Sequence, residues 1–249
     1  MQKRNWTREE LIVAFNLYCK IPFSKINYRL PQVQELAALL DRTPSAVAWK
    51  LVNFASLDPK LSARNITGAA NTSKLDKQVF NEFYNNWNEL VVESELQLEK
   101  ICTRNKNIRF DGKIGKDIEV VVKERVNQTF FRKAVLATYE NKCCITGISI
   151  NELLRASHII PWSRNESTRL NPENGLCLNS LHDQAFDQGL ITLDEEYRVV
   201  LSKRITSCFT DEFILRTFKP YEHKTIFIPK RFAPNQDFLE YHRKNIFKR

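Results

Sequence analysis

The stretch that decides the fold of the second half of the chain is Arg155-Ala156-Ser157-His158-Ile159-Ile160-Pro161, followed by Pro172-Glu173-Asn174-Gly175, then Leu176-Cys177-Leu178 and the run from Ser180 to Asp187. The first segment has branched apolar residues and a closing proline, which are typical of a short strand. The Asn-Gly pair predicts a turn, and a second strand and a helix follow it. We therefore expect a ββα unit that brings the end of its first strand close to the start of its helix.

Two of the four histidines of the chain lie in this unit, His158 at the strand end and His182 in the helix. Cleavage of a phosphodiester requires a base that deprotonates water and a group that neutralises charge on the phosphate. Imidazole titrates near pH 6.5, which makes His158 a suitable general base. A divalent cation held by His182 would act as the Lewis acid. Either histidine alone would usually be structural, and only their order within one unit on a basic chain predicts catalysis.

Four runs of the sequence resemble the HNH endonuclease family, and in particular its bacterial branch of predicted restriction endonucleases: Cys144–Gly147, Ala156–Pro161, Asn171–Leu178 and Leu181–Asp187. The resemblance is specific over about residues 125 to 205. It implies that His158 is the general base and that Asn174 fixes the loop geometry. It further implies that His182 is the final histidine that binds the metal.

The sequence departs from the family at Ser157, where many relatives have an Asp or His as a second metal ligand. Asp183 or Asp187 could replace that ligand, and Asp187 is favoured because Phe186-Asp187 recurs in this branch. Asp183 could equally cap the helix, and Asp187 could be an ordinary helix-end residue. A site with so few protein ligands favours a labile metal ion, Mg²⁺ or Mn²⁺, with Ni²⁺ or Zn²⁺ also able to bind. The sequence lacks the zinc-binding C-x-x-C pairs of other HNH proteins, so side-chain packing must stabilise the ββα unit.

The net charge of +9 is typical of a protein that binds phosphate groups, although ribosomal or acidic partners would explain it too. Residues 101–249 carry 25 Lys and Arg against 18 Asp and Glu, so the phosphate-facing surface is expected in this half. Arg155, Arg164 and Arg169 are candidate phosphate contacts, but solvated loop charges would look identical. The hydrophobic content of 43% excludes a wholly disordered chain.

The first sixty residues predict three helices. Thr7 begins a helix that runs to Cys19, and Val33–Leu40 is followed by a break and a third helix from Thr43-Pro44 to Phe54. The last two have the layout of a helix-turn-helix, whose second helix would expose Ser45, Trp49, Lys50 and Asn53. Lys50 and Asn53 are therefore candidate DNA contacts. Plain packing of two short helices is an equally good interpretation.

The rest of the chain completes an expected α+β fold. Residues 1–58 would form the helical, helix-turn-helix-like domain. Residues 59–120 would form a linker with a bridging helix (Lys74–Cys102) and a mobile basic loop (Thr103–Lys116), and residues 121–249 the ββα-metal (HNH) nuclease domain. Within the last part we expect a helix over Glu124–Asn141, a hairpin after the ββα unit and a basic C-terminal helix.

Nothing in the sequence resembles a secretory signal, and the apolar runs are shorter than the roughly 20 residues that span a bilayer. The six cysteines are scattered, which fits reduced thiols buried in a cytoplasmic protein. We therefore expect a soluble, cytoplasmic protein that makes no membrane contact.

The resulting expectation is a metal-dependent HNH endonuclease that acts on double-stranded DNA in restriction or defence. Cutting both strands would need two protomers or two encounters, so a homodimer is one expected arrangement. The leading alternative is a non-catalytic DNA-binding regulator with a degenerate HNH fold. A nuclease for RNA or single strands is a third interpretation.

Overall fold

The computed structural model describes residues 4–62, 72–106 and 116–249, which form the expected α+β architecture. Its contacts divide the chain into two compact units, residues 1–130 and 131–249. In the described residues, the first unit is helical and the second contains two small antiparallel sheets. The division at residues 58 and 120 stays a prediction. Within the described ranges, no helix combines the length and apolar character that crossing a membrane requires.

The described helices of the first unit are α1 (Arg8–Lys20), α2 (Pro31–Leu39), α3 (Pro44–Leu57), the short α4 (Pro59–Ser62), α5 (Lys74–Phe83) and α6 (Trp87–Lys106). Thr7 begins α1 as predicted, because its hydroxyl accepts from the Glu10 amide while the Glu10 carboxylate accepts from the Thr7 amide. The ring of Phe15 on α1 packs against Phe54 of α3 and Phe80 of α5, with centroids 5.0 and 5.3 Å away. This aromatic cluster forms the centre of the helical core.

The predicted pair of short helices is present as α2 and α3. Asp41, with a φ of 49°, turns the chain between them, and the Thr43 hydroxyl caps α3 by accepting from the Ala46 amide. On α3, Trp49 is 63% exposed. Two helices joined by a turn are therefore present, while the DNA-reading role of this pair stays a prediction.

The predicted exposure of Lys50 is wrong. Its Nζ lies 2.8 and 2.9 Å from the two carboxylate oxygens of Asp76, and only 9% of the lysine side chain is exposed. The side-chain amide of Asn53 donates to the same carboxylate at 3.2 Å. A buried carboxylate needs such partners, because an uncompensated charge in the core is costly. Both candidate DNA contacts on α3 are thus engaged inside the first unit.

The single helix predicted over Lys74–Cys102 is two helices, α5 and α6. Tyr84 is extended and Asn85 has a φ of 72°, so the helical hydrogen-bond pattern stops before Trp87. Both helices pack against α1 within the first unit, and the predicted bridging role stays a prediction. Most of the predicted basic loop Thr103–Lys116 lies outside the described residues, as does most of the predicted linker before Ser73.

A long helix, α7 (Lys116–Thr138), leads into the second unit. The elements that follow are β1 (Leu154–His158), β2 (Gly175–Asn179), α8 (Ser180–Asp187), β3 (Ile191–Leu193), β4 (Val199–Leu201), α9 (Lys203–Thr206), α10 (Glu212–Phe218) and α11 (Gln236–Asn245). Short 3₁₀ turns occur at Phe23–Lys25, Asn151–Leu153, Pro172–Asn174 and Lys219–Tyr221. The predicted ββα unit is β1, β2 and α8, and the predicted hairpin is β3 and β4.

The close approach of α7 to the ββα unit depends on Gly175. β1 and β2 pair antiparallel with His158 opposite Gly175. A Cβ on this glycine would lie 2.3 Å from Cγ2 of Val135 and 3.1 Å from the ring of Phe131, both on α7. The glycine therefore lets α7 lie against the sheet at the position where β1 ends.

Candidate active site

His158 is the last residue of β1, and its half-buried ring is fixed from three sides. The ring stacks on Phe131 at 3.7 Å with an interplanar angle of 9°, and it meets the edge of Trp162 at 5.6 Å. Its Nε2 lies 3.0 Å from the carbonyl oxygen of Arg169. Because a carbonyl can only accept, Nε2 carries the proton and Nδ1 keeps the lone pair. Burial lowers the pKa of His158, with the Arg169 carbonyl acting in the opposite direction, so the ring is neutral at pH 7.

Asn174 holds the loop that follows His158. Its Oδ1 accepts from the Ile160 amide at 2.8 Å, and its Nδ2 donates to the carbonyls of Ile160 and Thr168 at 3.1 and 3.2 Å. Its own carbonyl accepts from the Ile159 amide at 2.9 Å. The side chain is fully buried. This arrangement is the loop-fixing role expected for this residue.

His182 lies on α8 with its ring buried among aromatic side chains. Its ring is 2% exposed and packs against Phe218 and Tyr221, with centroids 5.2 and 5.7 Å away. Nδ1 lies 2.9 Å from the side-chain nitrogen of Asn179, the residue that caps α8. Burial lowers the pKa of His182 to about 4, although the backbone of Thr217 acts in the opposite direction. The structure thus encloses the ring of His182 in an aromatic cluster, and the convergence of both imidazoles on one cation stays a prediction.

Asp183 and Asp187 lie on a different face of α8, one helical turn apart. The hydroxyl of Ser157 on β1 donates to Oδ1 of Asp187 at 3.4 Å and also acts on Asp183. Desolvation and the neighbouring Asp183 raise the pKa of Asp187 to about 6. Desolvation likewise raises the pKa of Asp183, while Ser157 and Arg155 lower it. Asp183 thus acts on Asp187 as a like charge, and the raised pKa of both carboxyl groups means that Ser157 and Arg155 do not offset their burial.

The carboxylate pair and the histidine flank the end of one strand. Ser157 and His158 are consecutive on β1, so their side chains project to opposite faces of the sheet. Ser157 reaches the carboxylates of α8, while His158 packs on Phe131 of α7. The ββα unit thus brings a neutral imidazole and two acidic side chains to adjacent residues of β1.

The three predicted phosphate-binding arginines differ in their surroundings. Arg155 is exposed and donates to the carbonyls of Glu152 and Leu154 at 2.9 and 3.0 Å. Arg164 is exposed in the loop after β1. Arg169 is half-buried, donating through Nε to the Trp162 carbonyl at 2.8 Å with its guanidinium 5.2 Å from the indole centroid. Arg155 and Arg164 are thus placed on the surface, whereas Arg169 mainly fixes the loop.

Residues 143–194 match the family model described as HNH endonuclease. This segment contains β1, β2, α8 and β3 together with His158, Asn174 and both carboxylates. This segment of the second unit, which we call the HNH module, is therefore similar to the HNH endonuclease family. The search of curated proteins found no match for the chain. The restriction branch of the family stays a prediction.

The HNH module indicates a nuclease, and therefore a hydrolase with a nucleic-acid substrate. HNH nucleases generally use a divalent metal ion. In the described ranges, no three His, Cys, Asp or Glu side chains converge on one point. The two carboxylates of α8 nevertheless suit a hard cation such as Mg²⁺, which proteins bind through one or two carboxylates while it keeps several waters. The donor set therefore fits Mg²⁺ or Mn²⁺ better than Zn²⁺, which prefers imidazole and thiolate ligands.

Three buried thiols lie in the HNH module, and they serve its packing. Cys143, Cys144 and Cys177 are free, and the Cys144 amide donates to the Cys177 carbonyl at 2.8 Å. Burial raises the pKa of Cys177 to about 12 and raises the pKa of Cys144 as well. Such thiols stay protonated at neutral pH, so they are poor ligands and poor nucleophiles.

Several residues that shape this site were not predicted from the sequence. Phe131, Trp162 and the Arg169 carbonyl orient His158, yet aromatic residues in a helix or loop carry no local signal for that role. Asn179 was detectable, because an asparagine directly before a helix is a common N-cap. His242 lies far from the motif in the sequence and had no signal at all.

Proposed function

We propose that this protein is a metal-dependent endonuclease that hydrolyses phosphodiester bonds in double-stranded DNA, with restriction or defence as its role. The observation that carries the proposal is the 3.4 Å contact between Ser157 and Asp187. Ser157 directly precedes His158 on β1, so this contact joins a carboxylate of α8 to the strand position adjacent to the candidate base. The HNH family match and the basic second half of the chain support the same conclusion.

His158 is the general base of the proposed reaction. With Nε2 donating to Arg169, Nδ1 takes a proton from water as the water oxygen attacks the phosphorus. The bond from phosphorus to the 3′ oxygen then breaks, and the departing oxygen takes a proton from solvent. A lowered imidazole pKa keeps the base form populated at neutral pH.

Asp183 and Asp187 are the proposed holders of the divalent cation, Mg²⁺ or Mn²⁺. When bound, this cation supplies a Lewis acid that neutralises charge on the phosphate and on the leaving oxygen. Ser157 orients Asp187 through its hydroxyl group. His182, sealed by Phe218 and Tyr221, holds the start of α8 through Asn179.

The proposed DNA-binding surface includes Arg155 and Arg164. Both are exposed, and Arg155 lies on the same strand as Ser157 and His158. Contacts of this kind set the position of the backbone and carry no base specificity. A homodimer that cuts both strands stays part of the proposal.

A plasmid-nicking assay with matched histidine variants tests the proposal. His158→Asn removes the base, whereas His223→Asn makes the same chemical change at a histidine whose side chain is 73% exposed outside the site. We expect His158→Asn to slow nicking at least about a hundredfold and His223→Asn to leave it unchanged. Nicking should stop in EDTA and return with Mg²⁺ or Mn²⁺.

The same assay separates the proposal from its rivals. Full activity in His158→Asn would refute the assignment of the base. Tight duplex binding by the unaltered protein without nicking in any divalent metal would select the non-catalytic regulator. Preferential cleavage of RNA or single strands in a competition assay would select the third interpretation.

A further inference from the structure

The C-terminal segment from Gln236 to Lys248 lies over the end of α8 and is held there by hydrogen bonds. The Lys248 amide donates to the Gly189 carbonyl at 2.8 Å, and Arg243 donates to the Leu193 carbonyl at 3.0 Å. A Cβ on Gly189 would lie 2.0 Å from the Ile246 carbonyl oxygen. This segment, which we call the C-terminal strap, lies outside residues 143–194 that match the family.

His242 is the residue through which the strap contacts α8 most closely. It is 1% exposed, and its ring stacks on Phe186 at 3.8 Å with an interplanar angle of 12°. Nε2 lies 3.1 Å from the Phe186 carbonyl oxygen, so it carries the proton and donates. Nδ1 accepts from the hydroxyl of Thr192, 2.9 Å away on β3. Both ring nitrogens and one ring face are thus used to join α11, α8 and β3.

The bonded carbonyl belongs to the peptide group that precedes Asp187. A peptide group is planar, so fixing the carbonyl of Phe186 also fixes the amide nitrogen of Asp187. The same carbonyl accepts from the Gly189 amide at 2.9 Å. Carbonyls in the last turn of a helix lack partners within the helix, and the end of a helix frays easily unless other groups bind them. His242 therefore holds the backbone from which the Asp187 carboxylate extends.

We infer that His242 is a positioning residue for the metal site, acting through the Phe186–Asp187 peptide to hold the Asp187 carboxylate beside Ser157 and Asp183. This inference rests on the proposed function, because it assumes that Asp187 binds the cation. Outer groups that orient metal ligands typically change metal affinity by a factor of 10 to 100 when they are removed. The strap thereby makes a segment outside the family match part of the catalytic unit.

Two substitutions separate the hydrogen bonds of His242 from its packing. His242→Phe keeps an aromatic ring against Phe186 and removes both hydrogen bonds. His242→Gln removes the ring but keeps a donor for the Phe186 carbonyl and an acceptor for Thr192. Tyr197→Phe is the matched control, because it removes a hydrogen bond to the Pro234 carbonyl, 3.1 Å long, without touching α8.

The experiment measures Mn²⁺ binding to the full chain by electron paramagnetic resonance, together with the metal concentration for half-maximal nicking. We expect His242→Phe to weaken Mn²⁺ binding about tenfold, with nicking recovering at high metal concentration. His242→Gln should bind Mn²⁺ like the unaltered protein, and so should Tyr197→Phe. If His242→Phe does not fold, Thr192→Val removes the hydrogen bond to Nδ1 and should weaken binding in the same direction.

Two kinds of result would contradict the role of His242, and they can be told apart. Equal Mn²⁺ affinity in His242→Phe and the unaltered protein, or equal losses in His242→Phe and Tyr197→Phe, would make the strap a merely stabilising element and overturn the inference alone. Failure of the unaltered protein to bind Mn²⁺ would overturn the inference together with the proposed metal site.

Discussion

Asn174 binds the backbone of Ile160 in both directions, accepting from its amide at 2.8 Å and donating to its carbonyl at 3.1 Å. The same side chain donates to the Thr168 carbonyl. These bonds close the loop that carries Trp162 and Arg169 back toward His158. The orientation of the candidate base therefore depends on a residue that belongs to another part of the motif.

Asn174→Asp should destabilise the protein and suppress nicking. The carboxylate keeps the shape of the amide but turns two donated hydrogen bonds into contacts between oxygens, in a fully buried position. We expect a loss of about 3 kcal/mol in the free energy of unfolding. Asn235→Asp is the matched control, since Asn235 caps α11 by accepting, a role that aspartate performs equally well. Equal effects of the two changes in denaturant titrations would contradict this account.

His182→Phe should keep Mn²⁺ affinity within about threefold, whereas Asp187→Asn should lower it at least about tenfold. Phenylalanine fits the cluster formed by Phe218 and Tyr221, and it loses the bond to Asn179 and the interaction with the Thr217 backbone. The associated cost in stability is about 1 kcal/mol. Calorimetric titration with Mn²⁺ measures both affinities. A loss in His182→Phe as large as in Asp187→Asn would show that the ring leaves its cluster to bind metal.

Lys50→Met should destabilise the first unit by about 3 kcal/mol, because it leaves the buried carboxylate of Asp76 without its cation. Arg8→Met is the control in the same unit. It breaks an exposed ion pair with Glu82, for which a loss below about 1 kcal/mol is expected. Urea unfolding followed by tryptophan fluorescence in a Trp162→Phe background reports on this unit, because the remaining tryptophans, Trp6, Trp49 and Trp87, all lie in it. Similar losses in both variants would argue against burial as the source of the effect.

Gly189→Ala and Gly147→Ala test how closely the C-terminal strap packs against Gly189. Both glycines have positive φ, 68° and 76°, so alanine costs about 1 kcal/mol at either position from backbone strain. At Gly147 the new Cβ meets no atom within 4 Å, whereas at Gly189 it collides with the backbone of Ile246. We expect Gly189→Ala to lower the thermal midpoint clearly more than Gly147→Ala. Equal thermal midpoints would mean that the C-terminal strap moves away from the new Cβ without loss of stability.

The contribution of His242 to the stability of the second unit should fall as pH drops below about 6.5. Burial lowers the pKa of His242 to about 4 in the folded protein, against about 6.5 when unfolded. The unfolded chain therefore binds the proton first, and the contribution of His242, complete above pH 6.5, is lost between pH 6.5 and 4. His242→Gln lacks this loss, so the difference in unfolding free energy between the two proteins should change by up to about 1.4 kcal/mol per pH unit in this window. A constant difference would contradict the buried neutral state.

Local chemistry explains which elements were predictable. The capping box of Thr7, the Thr43-Pro44 helix start, the turn before β2 and the order of strand, strand and helix all depend on residues within a few positions of one another. The HNH resemblance likewise rests on short runs of sequence. These features were read correctly because neighbouring residues determine hydrogen bonding and turn geometry.

The surroundings of individual side chains were decided by the tertiary structure. Lys50 lies on a helix whose pattern permits exposure, and only the position of α5 places Asp76 against it. His182 starts the predicted helix, but α10 covers its ring with Phe218. The carboxylates of α8 meet Ser157 because the sheet and helix pack at one particular angle. Contacts between residues dozens of positions apart depend on how whole elements pack. The sequence by itself therefore determined the ββα unit and its candidate base, while only the tertiary structure decided that the acids of α8 meet Ser157 and that His242 packs against Phe186.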